Sequence, residues 1–123
     1  MSRAARSLFA FSIYVLVASL SFLAAPATMV DLLRLPPASD GWVRVVGLLA
    51  LVIGAYDLVG SRAGLLPYIR ASVWVRFGFA AGVVLVVASG QMPASLLVFG
   101  AIDAAGATWT ALALKGEGTT VAA

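Results

Sequence analysis

Three ionisable residues stand where this chain has little use for charge. Asp57, Arg76 and Asp103 are each embedded in a long apolar run. Two carboxylates and one guanidinium suit three kinds of work. An Arg76–Asp57 or Arg76–Asp103 pair forms a buried clamp that fixes helix register. Two acids sharing one arginine make a proton or cation site. The same cluster can also be a half-site, completed by a partner protein or a small ligand.

Other chemistry is excluded by residue type. The sequence has no Cys and no His, so disulfides, thiol redox, Cys/His zinc sites and histidine general bases are absent. Met1, Met29 and Met92 offer no paired geometry for haem ligation. No catalytic, cofactor-binding or metal-ligating residue is expected, and the chain reads as non-enzymatic.

The elements that must position the three charges follow from composition. Of 123 residues, 63% are apolar and 11% charged, with a mean hydropathy of +1.07. A soluble domain carries about 45–50% apolar and about 25% charged residues, so a water-soluble globule is excluded. The net charge is +3, but the basic residues never form a run, which argues against nucleic acid. About 20 apolar residues are needed to cross a bilayer core of roughly 30 Å. Four segments qualify, at about 8–25, 43–60, 71–89 and 94–114, separated by Pro26, Pro36-Pro37 with Asp40-Gly41, Pro67, and Gly90 with Pro93. The expected fold is an all-α, integral membrane four-helix bundle occupying residues 1–123 as one transmembrane domain.

Orientation follows from Lys and Arg placement. Arg3, Arg6, Arg62, Arg70 and Lys115 gather on one side, and Arg34 and Arg44 on the other. Both termini are therefore expected in the cytoplasm. Trp42 and Tyr68 sit where an interfacial aromatic belt belongs; Tyr56, Trp74 and Trp109 read as belt or packing residues. Arg3 and Arg6, followed by an apolar stretch ending in Ala25-Pro26-Ala27, could also be a signal peptide. The long apolar region and the proline in the site favour an uncleaved anchor. The Met29–Leu35 stretch reads either as a short surface helix, with Asp31 and Arg34 at i, i+3, or as an ordered loop. The Gly-rich tail from Lys115 reads as unstructured.

Helical spacing assigns faces. Gly47, Ala50, Gly54 and Asp57 form one stripe on the second span. Gly100, Asp103, Gly106 or Ala107, and Thr110 form another on the fourth. Such small-residue stripes let helices approach closely in lipid, so both acids are expected to face neighbouring helices. Residues 51–60 (Leu-Val-Ile-Gly-Ala-Tyr-Asp-Leu-Val-Gly) match 97–106 (Leu-Val-Phe-Gly-Ala-Ile-Asp-Ala-Ala-Gly) at six positions. This is either a parallel repeat of a two-helix hairpin or a shared packing need, and the match does not extend into the first and third spans. On the third span, Gly78 lies about 200° around the helix from Arg76, and Gly82 follows it on nearly the same face. With Arg76 inward, both glycines point out, either to dock a second copy or another membrane protein or simply into lipid.

The stretches Trp42-Val-Arg-Val-Val-Gly47 leading to Gly54-Ala-Tyr-Asp57, Ser72-Val-Trp-Val-Arg76, and Asp103-Ala-Ala-Gly-Ala-Thr-Trp109 resemble small bacterial four-span membrane proteins of a loosely DoxX-like group. The resemblance implies a four-helix bundle in the bacterial inner membrane and no defined activity. Some DoxX-like proteins are subunits of membrane oxidoreductases; without cofactor motifs, only the scaffold role would carry over. Small multidrug transporters have a similar size but need an acidic residue in the first span, where this chain has none. The expected function is a small subunit or scaffold of a membrane assembly, with lipid and either further copies or other membrane proteins as partners. The competing expectation is a small proton- or ligand-coupled transporter or binder using Asp57, Asp103 and Arg76.

Overall fold

The computed structural model describes residues 1–121. Helix α1 spans Arg3–Ala24, α2 Pro26–Leu32, α3 Asp40–Arg62, α4 Leu66–Ala88 and α5 Leu97–Val121, with a 3₁₀ turn at Ala94–Leu96 before α5. All regular structure among the described residues is helical. Four of these segments are long and apolar enough to cross a membrane: Arg3–Ala24, Asp40–Arg62, Leu66–Ala88 and Ala94–Glu117.

The helix ends differ from the sequence expectation for local reasons. Ser2 caps α1 by accepting the Ala5 N–H, so the helix starts at Arg3, ahead of the apolar run itself. Ser39 does the same for α3 through the Trp42 N–H. Pro67 opens α4 instead of interrupting the chain, because a first-turn proline removes no helical hydrogen bond. The stretch expected as either a surface helix or a loop forms α2, which begins earlier than placed, at Pro26. It ends where Arg34 adopts φ 53° and the Leu35 N–H donates to the Val30 carbonyl.

The expectation of an unstructured tail is corrected, since α5 continues to Val121. Glu117 accepts the Ala4 N–H at 3.2 Å, and a Cβ on Gly116 would lie 3.1 Å from Arg3 Nη2. The end of α5 is thus tied to the first turn of α1. That contact spans 113 residues of sequence, so local composition could not reveal it.

The spanning helices alternate in direction. The start of α1, the end of α3, the start of α4 and the end of α5 share one end of the molecule. Helix α1 packs along α3, α4 packs along α5, and the two hairpins join chiefly through α1 and α5. Helices α3 and α4 touch only briefly, beside the turn at 63–65, where Gly60 receives the Tyr68 ring. Ala4, Ala5, Leu8 and Ile69 form a buried cluster at this end, with Tyr68, Ala113 and Leu114 against it. At the opposite end Arg44 Nε donates to the Leu23 carbonyl at the foot of α1, and Ser95 Oγ donates to the Leu33 carbonyl.

Candidate functional site

The site grows from hydroxyls on apolar helices, which find their hydrogen-bond partners within the protein. Ser7, Ser12, Ser19, Ser61 and Ser72 each donate to the carbonyl three residues back on their own helix. Two of them, Ser7 on α1 and Ser72 on α4, also reach a second group. Ser7 Oγ lies 2.6 Å from Thr110 Oγ1 on α5, both fully buried.

Arg76 completes this network. It is 4% exposed, and its donors are spread over two helices. Nε donates to the Ser72 carbonyl at 3.1 Å, and Nη2 donates to Ser72 Oγ at 3.2 Å and Thr110 Oγ1 at 2.8 Å. The guanidinium carbon stands 4.8 Å from the centroid of the Phe11 ring on α1, within cation–π range. Thr110, having accepted from Arg76, hands its own proton to Ser7 or to the Gly106 carbonyl 3.1 Å away. Gly106 is needed beside the guanidinium: a Cβ there would lie 2.9 Å from Phe11 Cδ1 and 3.2 Å from Arg76 Nη1.

The expected ion pair is replaced by this arrangement. Arg76 donates to hydroxyls and a carbonyl, and Nη1 is buried without a hydrogen-bond partner among the described residues. Asp57 and Asp103 act on the arginine through space, and neither receives one of its hydrogen bonds. The physical reason is reach. Ser72 sits one helical turn before Arg76 and captures two of its nitrogens at no cost in backbone movement.

Asp57, 5% exposed on α3, accepts the Tyr68 O–H at 2.6 Å. This bond joins α3 to α4 at the one place where they meet. Asp103 is half-buried on α5, within electrostatic reach of Tyr14 on α1 and of Arg76 and Asp57. Tyr14 stacks at a tilt on Phe11, with centroids 5.6 Å apart. The three charges picked out by sequence lie within electrostatic reach of one another, but each makes its own contacts.

The small-residue stripes divide. A Cβ on Gly47 would meet Phe22, Ser19 and Leu23, and one on Gly54 would meet Leu16 and Val15, so both glycines seat α1 on α3. Ala50 is half-buried beside them. Gly100 faces Val83 and Ala80 of α4 at ordinary contact distance, and Ala107 is fully buried. A Cβ on Gly78 or Gly82 would have nothing within 4 Å, so these two glycines face away from the bundle.

The sequence reading missed Tyr68, Ser7, Ser72 and Phe11 as members of the site. One signal was there: Asp57 and Tyr68 flank the short turn at 63–65, close enough to it to meet across the hairpin. Ser7 and Phe11 carry no comparable signal, since their partners lie far along the chain. Comparison of the chain with protein-family models, curated proteins and solved structures finds no match.

Proposed function

We propose that this chain is a non-enzymatic integral membrane protein that serves as a small subunit or scaffold of a membrane assembly, its polar cluster being the clamp that holds its own helices in register. One observation carries the reading. Three side-chain hydrogen bonds of the buried polar groups tie helix to helix, through Arg76–Thr110–Ser7 across α4, α5 and α1, and through Tyr68–Asp57 across α4 and α3. A clamp of this kind leaves the outward face of α4, with Gly78 and Gly82, for close approach by a partner helix. The Lys/Arg distribution supports cytoplasmic termini in a bacterial inner membrane, and a DoxX-like kinship fits the same reading.

Purification from native membrane, with mass spectrometry of co-purifying proteins, tests it. A stable partner should be present with the wild type and absent with the Gly78→Ile/Gly82→Ile variant, whose thermal stability stays near wild type. A wild-type protein recovered only as a free monomer would overturn the reading.

A second reading has its own support: Asp103 accepts no hydrogen bond among the described residues, and Arg76 Nη1 donates none. These two groups suit a small proton- or ligand-coupled transporter or binder using Asp57, Asp103 and Arg76. Proton flux into liposomes that is lost in the Asp57→Asn/Asp103→Asn variant would favour it; flux indifferent to both acids would dismiss it.

A further inference from the structure

The charges outside the membrane are distributed unequally between the two ends of the bundle. At the end where the hairpins are packed together, every spanning helix brings a cation: Arg3 and Arg6 on α1, Arg62 on α3, Arg70 on α4 and Lys115 on α5. All five are exposed. Among the described residues the only acid at this end is Glu117, which accepts the Ala4 N–H. The other end carries two acids, Asp31 and Asp40, against two cations, Arg34 and Arg44. The guanidinium groups of Arg6, Arg62 and Arg70 donate no hydrogen bond and form no ion pair among the described residues.

A collar of aromatic residues lies just inside these cations. Tyr56, Trp74 and Trp109 are 64%, 77% and 53% exposed on α3, α4 and α5. Each precedes or follows the cation of its own helix by four to six residues, which is about 6–9 Å along the axis. Arg70 and Trp74, four residues apart, share one face of α4. An arginine that reaches out to the phosphate level, above an amphipathic ring at the headgroup boundary, matches the layering of a phospholipid leaflet. Arginine also presents a planar fork of donors suited to phosphate oxygens.

We propose that this end of the bundle binds the headgroups of anionic phospholipids in preference to zwitterionic ones, with Arg6, Arg62 and Arg70 as the phosphate contacts and Trp74 against the chain region. The inference rests on the membrane-protein reading and goes beyond it by naming the lipid class. Each cation near the surface contributes roughly a fivefold preference for an anionic leaflet, and exposed charges are screened by salt.

The test is electron paramagnetic resonance of spin-labelled phosphatidylglycerol and phosphatidylcholine, each added in turn to the full chain reconstituted in phosphatidylcholine vesicles. The expected result is a larger motionally restricted fraction for phosphatidylglycerol at low salt, shrinking as sodium chloride is raised. In the Arg6→Gln/Arg62→Gln/Arg70→Gln variant the preference should fall about tenfold or more, and in Arg34→Gln it should be unchanged. Equal restricted fractions for both lipids at low salt would overturn the proposal while leaving the membrane reading intact. A preference untouched by the triple substitution would overturn its assignment to this end. The salt titration on wild-type protein decides the matter independently should the triple variant fold poorly. No restricted component for either lipid would overturn the membrane reading itself.

Discussion

Arg76 is the residue on which the cluster turns, and its neighbours are mostly neutral. In water a hydroxyl is a weak substitute for a carboxylate. Buried in a protein, hydrogen bonds to a charged group contribute about 1.5–3 kcal/mol, and a threonine or serine that accepts from a guanidinium has few competitors. Arg76→Lys should therefore fail as a conservative change. A lysine has one nitrogen and cannot reproduce both the Nε bond to the Ser72 carbonyl and the Nη2 bonds to Ser72 and Thr110, nor place a guanidinium over Phe11, so a loss of about 1–3 kcal/mol is expected in denaturant unfolding of the reconstituted protein. Tyr68→Phe removes the O–H donor to Asp57 and leaves a buried carboxylate without its hydrogen bond. A comparable loss of about 1–3 kcal/mol is expected, read as a lowered melting temperature, and unchanged melting would remove Tyr68 from the clamp. Asp57, Arg76 and Asp103 were legible in the sequence because charge inside an apolar run is conspicuous. Their hydroxyl partners were not, since a serine or threonine in such a run has an ordinary alternative in the carbonyl of its own preceding turn.

At the scale of the helices, the two similar ten-residue stretches acquire a structural meaning. Gly54 on α3 meets α1 and Gly100 on α5 meets α4, each its own hairpin partner. Six residues later, Gly60 meets Tyr68 of α4 and Gly106 meets Phe11 of α1, each across to the other hairpin. The repeat thus extends to α1 and α4 as a pattern of contacts, although their sequences do not match. A glycine fixes only how near a neighbour comes, so the facing helix is free to diverge. Glycine substitutions should separate accordingly. Gly54→Ala and Gly106→Ala force contacts with Leu16 and with Phe11 and should cost about 1–3 kcal/mol. Gly78→Ala and Gly82→Ala meet nothing and should be neutral, or stabilising by up to about 1 kcal/mol each through helix propensity. Melting temperatures in detergent would rank the four, and a destabilising Gly78→Ala would contradict the outward placement. Span existence was legible from hydropathy, whereas helix ends depended on Ser2, Ser39 and Pro67 acting locally. The last turns of α5 depended on a contact with α1 that no window of sequence contains.

For the whole molecule, packing and charge coincide at one end. The buried apolar cluster, the hydroxyl network and the five exposed cations all gather where α1 and α4 begin and α3 and α5 end. The other seam, between α3 and α4, opens away from the turn at 63–65. Because Glu117 binds the first turn of α1, reporters fused to the two termini should give signals from the same compartment. The basic residues at that end predict the cytoplasm; opposite compartments would contradict the four-span arrangement. Helix α1 packs along α3 and also against α5, so its removal should leave α3 without its main partner. The claim that the buried polar cluster acts as a clamp is tested most directly by a double-mutant cycle between Arg76→Met and Thr110→Val, with unfolding free energies measured in lipid nanodiscs. A clamp predicts a coupling energy of about 0.5–3 kcal/mol between the two positions, the double variant losing less than the sum of the single losses. Strictly additive losses would show that α4 and α5 are not held together through this contact.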